Sequence, residues 1–189
     1  MSGHGSEHVD PSNKKIALLI AVLALFLALS ETLAKSSQTS ALNYNIEATN
    51  LWAFFQAKTI RMTMLRTAAE AAENELKHEK DPAKKATLRK RIEDWQKVAA
   101  KYDSEPETKE GRKELSVRAK AAENNRARSL AAYHFYELSS AALQIAIVLA
   151  SAHIITGVVA LLWLSGGLGI VALILGMIGF FAPMSIHLF

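Results

Sequence analysis

The chain has 189 residues, half of them apolar, with 22 Lys and Arg against 18 Asp and Glu for a formal net charge of +4. It contains no cysteine, which excludes disulfides, thiolate catalysis and cysteine-ligated zinc or iron–sulfur centres. Every Lys and Arg lies before residue 129 and no Asp or Glu follows Glu137, so residues 138–189 lack formally charged side chains, a membrane signature.

Residues 1–14 form a polar tail in which His4 and His8 are spaced to bind a metal, although two histidines on a tail are ordinarily not a site. Asp10-Pro11 signals a helix start, a capping carboxylate followed by a proline that loses nothing in the first turn. The unbroken apolar run Ile16 to Leu29 follows Lys14 and Lys15 and predicts a first transmembrane helix over 15–35, with Ser30, Glu31 and Thr32 at interface depth. A cleaved signal peptide is the competing reading, because Ala28-Leu29-Ser30 offers a small-x-small site. The leading region is long, however, carries Glu7 and Asp10, and the helical pattern crosses the site without interruption. Ala17, Ala21, Ala24 and Ala28 recur at spacings of 4, 3 and 4, a stripe of small residues that allows another helix to approach, and Glu31 extends it.

No Pro or Gly follows until Pro82, so the same helix is expected to continue beyond the membrane. Leu51, Phe55, Met62, Leu65, Ala69, Ala72 and Leu76 alternate 4 and 3 residues apart, a heptad seam interrupted once by Lys58. The Ser/Thr/Asn-rich stretch 36–50 is where a break is most expected. Asp81-Pro82 marks a turn near 80–82, and Leu88, Ile92, Trp95, Ala99 and Tyr102 give a second helix. Pro106, Gly111 and four acids make 103–111 a loop or kink. A third helix from Arg112 enters the membrane over 138–156. Gly157 turns the chain, a third transmembrane helix spans 158–181, and Pro183 ends it before a 182–189 tail. Ser165, Gly169, Ala172, Gly176 and Gly179 form a second small-residue face.

The predicted fold class is all-α: three transmembrane helices with a long antiparallel helical-hairpin (coiled-coil) stalk, residues 36–137, between the first and second. Lys35 to Glu79 is an outgoing arm of 45 residues, and Asp81 to Glu137 without the nine-residue loop is a return arm of 48. Near-equal arms return the chain to the membrane after a reach of roughly 65 to 70 Å. Asn124 and Asn125 sit within the Ala-rich third helix, which points to neighbouring chains completing its packing. Lys35, Arg118, Lys120, Arg126 and Arg128 outweigh Lys14 and Lys15, so the positive-inside rule puts the stalk and C-terminus in the cytoplasm and exports the N-terminus.

A few polar residues invite functional readings. Glu31 is either a carboxylate at the edge of an ion or proton path, or a snorkelling partner of Lys35 at i+4. Gln144 and Ser151, with Ser140 above them, line a polar path or bond across helices, and His153 is a proton relay or an interfacial residue. Tyr133, His134, Phe135 and Tyr136 read as an aromatic belt. Trp52, Gln56, Lys58 and Arg61 cluster in the outgoing arm, where a seam lysine must be paired, with Glu47 or Glu123 available, and can fix register or oligomer state. The basic run Lys84 to Arg91 is interspersed with acids nearby and reads as a solvated face, so no nucleic acid is expected.

The stretch SETLAK at 30–35, ATNLWAFFQAKTIR at 48–61 and the closing pair of apolar helices resemble an uncharacterised bacterial family of three-helix inner-membrane proteins known as a domain of unknown function. The resemblance implies a bacterial inner-membrane location and a helical stalk, and it transfers no activity, cofactor or site residue. The two small-residue faces and the heptad seams set the expectation: a non-enzymatic, homo-oligomeric membrane scaffold with the lipid bilayer and its own copies as partners, needing no cofactor or metal. A channel or transport component is the alternative.

Overall fold

A computed structural model describes residues 11–185, with side chains from Lys14 onward. His4, His8 and the Asp10 cap lie outside the described residues. Four helices account for the fold: α1 at Pro11–His78, α2 at Pro82–Asp103, α3 at Arg112–Thr156 and α4 at Val159–Phe181. Among the described residues there is no strand.

The helix ends follow the punctuation in the sequence. Asp81 caps α2 by accepting the Ala83 N–H at 2.9 Å, with Pro82 in the first turn. Gly157 takes φ +69°, where a Cβ is unwelcome, and turns α3 into α4. α4 stops at Phe181, two residues before Pro183.

α1 stays helical through 36–50 despite its polar composition. The Thr39 hydroxyl donates to the Lys35 carbonyl at 2.9 Å, and Thr49 to Asn45 at 2.8 Å, so these side chains satisfy themselves on their own helix. Burial explains the rest. Ala34, Ala41, Ala48 and Leu51 are buried at steps of 7, 7 and 3, and Ser37 and Tyr44 are half-buried between them. The 3.5-residue burial period thus begins well before Leu51.

The residues group into two units: the described residues of Met1–Ala41 with Ala127–Phe189, and Leu42–Arg126. α1 and α3 contribute to both.

In the first unit, parts of α1 and α3 pack with α4 around Leu23, Leu143, Ala146 and Ala172. Three helices, α1, α3 and α4, are long and apolar enough to cross a membrane. Large apolar side chains lie on the outside of the unit: Leu18, Leu25, Ile155, Trp163 and Phe181 are all more than half exposed. The inside is built on small residues. Ser165, Gly169, Ala172 and Gly179 of α4 are buried and Gly176 is half-buried. A Cβ on Gly169 would stand 2.9 Å from Leu23 Cδ2, and one on Gly179 would stand 2.9 Å from Phe135 Cβ. The α1 stripe behaves differently. Ala17, Ala21, Ala24 and Ala28 are all exposed, and Ile16, Leu23 and Ser30 turn inward instead. The reason is steric: Leu23 is the knob that enters the space left by Gly169, so close approach needs a small face on α4 alone.

In the second unit, α2 folds back along α1. Ala69 and Ala72 meet Leu88 and Ile92, with Leu76 and Trp95 packed against them. Ala48 and Leu51 meet Leu115, Ala119 and Ala122 of α3, flanked by Trp52 and Phe55.

Candidate functional site

The densest arrangement of charge lies where α2 gives way to α3 over Phe54 to Met62 of α1. Lys58 falls on the buried face of α1 and is 7% exposed. Its ammonium lies 5.3 Å from the centre of the Phe54 ring and 5.2 Å from that of Tyr102, with Glu105 Oε2 at 3.8 Å. Neither Glu47 nor Glu123 supplies its counter-charge. Glu123 instead accepts Trp52 Nε1–H at 2.8 Å, and Trp52 stands edge-on to Phe55 at 5.4 Å. The loop acid serves Lys58 because a seam lysine buried by the returning chain can be neutralised only by what that chain carries there. Gln56 and Arg61 are exposed.

Arg112 opens α3 and completes the joint. Its guanidinium donates to Asp103 Oδ1 at 3.1 Å, lies 5.1 Å from the Phe55 ring centre and approaches Met62 Sδ at 3.4 Å. Its Nε is buried without a hydrogen-bond partner. Glu114 reaches back across the loop to accept from Ser104 Oγ at 2.6 Å and from the Glu105 N–H at 3.1 Å. Gly111 is the residue that permits this closure: a Cβ there would collide with Glu114 Oε2, the Glu105 nitrogen and, at 2.7 Å, Ser104 Cα.

The charges are mutually satisfied. The Lys113 hydrogen bond, then the Arg112 and Arg66 charges, hold the Asp103 carboxyl below its ordinary value. Glu105 is lowered first by its hydrogen bond from Lys101, then by Thr108 and the Lys58 charge. Glu114 is lowered first by Ser104 and then by the Glu105 N–H. Such a cluster locks a joint. Among the described residues no group of three or more His, Asp or Glu is arranged to hold a metal.

The first unit brings together other polar residues. Glu31 Oε1 accepts from Gln144 Nε2 at 3.2 Å, joining α1 to α3 on an exposed surface. Glu31 therefore reaches Gln144 rather than forming the expected pair with Lys35. Ser151 and Ser140 donate within their own helix, to the Ile147 and Tyr136 carbonyls at 2.8 Å each, and neither bonds across helices. A serine on a helix can always back-bond its own i−4 carbonyl, so it does so unless a better acceptor faces it. His153 Nδ1 donates to the Val158 carbonyl at 2.9 Å and ties the turn at Gly157. Of the four expected belt aromatics, Phe135 and Tyr136 are buried inside the unit, and Tyr133 donates to Glu137 at 3.0 Å.

Gln144 thus bonds across helices as one of its two readings expects, and the remaining interhelical bonds come from serines that the sequence does not single out for this role. Ser139 Oγ donates to the Ala172 carbonyl at 2.8 Å, so its 3.2 Å contact with Ser30 Oγ has Ser30 as donor. Ser165 Oγ donates to the Ala146 carbonyl at 2.7 Å. The signal for Ser30 was its place seven residues after Leu23 and fourteen after Ile16. Nothing in the sequence separated Ser139 from Ser140.

A family model described as a domain of unknown function, DUF4337, matches residues 12–182. No curated protein and no solved structure matches the chain.

Proposed function

As the chain belongs to the DUF4337 family, whose description carries no activity, we propose from its own residues that it is a non-enzymatic membrane scaffold that associates with copies of itself. The carrying observation is the Glu31–Gln144 pair, exposed on the outside of the three-helix unit and joining α1 to α3. Facing hydrocarbon, a carboxylate and an amide are costly. Facing protein, they become interhelical hydrogen bonds. Ala24 and Ala28, exposed on the same stretch of α1, leave room for such a neighbour to approach. The three long apolar helices support the bilayer as the second partner, and the basic flanks of the helical hairpin favour the cytoplasm of a bacterial cell for the hairpin and the C-terminus, with the N-terminus exported across the inner membrane. The heptad burial of α1 against α2 and α3 supports a coiled-coil hairpin as the platform.

The test is the mass of the purified protein in mild detergent, by native mass spectrometry and by cross-linking in membranes. An oligomer supports the scaffold reading, and a strict monomer contradicts it. The same pair favours a channel or transport component as the second reading, with Glu31 and Gln144 turned towards an axial path of the oligomer. Liposome cation flux that falls in Glu31→Gln supports that reading, and flux unchanged by the substitution removes it.

A further inference from the structure

α1 carries two heptad-spaced series, and only one of them is covered. Within Leu42–Arg126, α2 and α3 cover the face bearing Ala48, Leu51, Met62, Ala69 and Ala72. The opposite face carries Leu42, Ile46, Thr49, Ala53, Gln56, Ile60, Thr63 and Thr67, at steps of 4, 3, 4, 3, 4, 3 and 4. All eight are exposed, with Leu42 at 59%, Ile46 at 58% and Ile60 at 60%. A helix packed on one side only keeps its charges on the other side. Here the outer series has no charge over about 38 Å of helix, and Glu47 is the only charged residue from Ser36 to Ala57. Its borders are neutral as far as Met64, with Asn43, Asn50, Ala57 and Met64 on one side and Asn45, Trp52 and Thr59 on the other, and Arg66 is the first charge beside it. A second heptad-spaced, neutral face is what a helix between two partners looks like.

We propose that this face is the docking site for a second copy of the chain, α1 against α1 over Leu42 to Thr67. Charge and spacing select that occupant. The surfaces of α2 and of the start of α3 are dense in Lys, Arg, Asp and Glu, so the outer face of α1 finds no complement there. It is complementary to itself. Two copies inserted the same way round in one membrane run their α1 helices in parallel. A two-fold axis then sets each seam residue against its own counterpart, an arrangement open only to an uncharged seam. Ile46, Ala53 and Ile60 fall in one column and Leu42, Thr49, Gln56 and Thr63 in the other. Gln56 would be a polar seam residue of the kind that fixes register. This pairing rests on the self-association proposed above and names its surface.

The absence of cysteine makes the test direct. Single cysteines are placed at 42, 46, 49, 53, 56 and 60, at 47 and 61 as out-of-phase positions, and at 98 and 117 on the other two helices. Disulfide formation is read in native membranes. The seam predicts strong cross-linking at 42, 46 and 60 and little at 47, 61, 98 and 117. In a second arm, Ile46→Lys with Ile60→Lys, both at exposed positions, should raise the concentration of half-dissociation in detergent at least about tenfold, with helix content by circular dichroism unchanged. Cross-linking through 98 or 117, a profile without 3-and-4 periodicity, or adducts with a different protein overturns the α1–α1 seam while leaving self-association standing. A wild-type chain that is monomeric in both assays overturns both.

Discussion

Lys58 and Glu105 meet at 3.8 Å across 47 residues of sequence, the lysine 7% exposed and flanked by the Phe54 and Tyr102 rings. The carboxylate belongs to the loop that ends α2, so this contact pins the return of the chain at one register of α1. Removing the acid strands a buried cation, whereas removing the lysine leaves an acid that Lys101 still holds at 3.1 Å. Glu105→Gln should therefore lower the melting temperature more than Lys58→Met, and the double substitution should lie closer to Lys58→Met than to the sum of the two. Thermal unfolding of the three variants followed by circular dichroism gives the order. Equal and additive losses would contradict this account of the joint.

The loop acids make the joint sensitive to acid. Asp103, Glu105 and Glu114 are held below ordinary values of 3.8, 4.5 and 4.5 by the hydrogen bonds described above. A carboxyl whose folded value is depressed contributes stability above its unfolded value, and that stability is lost as pH falls through the folded one. Melting temperature should therefore hold from neutral pH to about 5 and fall at lower pH. Asp103→Asn with Glu114→Gln should start lower and show a shallower fall. A decline already under way between pH 7 and 5, or an unchanged slope in the double variant, would argue against it.

Glycine substitutions separate close packing from mere helix composition. Gly179→Ala drives a Cβ to 2.9 Å from Phe135 Cβ and should destabilise the first unit by about 1 to 3 kcal/mol. Gly167→Ala meets nothing within 4 Å and should be neutral or slightly stabilising. Unfolding in mixed micelles with increasing denaturing detergent distinguishes them.

The adjacent serines give a paired comparison. Ser139→Ala removes the bond to the Ala172 carbonyl and strands the Ser30 hydroxyl, at a cost of about 0.6 to 1.7 kcal/mol. Ser140→Ala removes only a bond within its own helix and should cost less than half as much in the same assay.

Helix ends were legible because few residues can end a helix and, as far as Gly157, this chain holds few of them: Pro82, Pro106, Gly111 and Gly157. Periodicity was legible where seam residues are large, as from Leu51 onward. It was hidden over 36–50, where the covered positions are Ser37, Ala41, Tyr44 and Ala48 and look like a polar linker. Which of two equally spaced faces turns inward was legible from Leu51 onward and on α4, where the expected residues are covered, and not at the start of α1. The exposed Ala17 to Ala28 stripe and the exposed Leu42 to Thr67 series have the same period as the buried seam, and only the neighbours on each side decide between them. Partners such as Glu105 for Lys58 were out of reach for a related reason: they depend on where a loop comes to rest.

The account depends most on three membrane crossings with the α2 hairpin on one side. Labelling of single cysteines with a membrane-impermeant thiol reagent, in sealed vesicles of known orientation, tests it most directly. Lys97→Cys and Ser185→Cys should react from one face, the cytoplasmic one, and Ser6→Cys and Thr156→Cys from the other. Lys97→Cys and Thr156→Cys reacting from the same face would contradict the account.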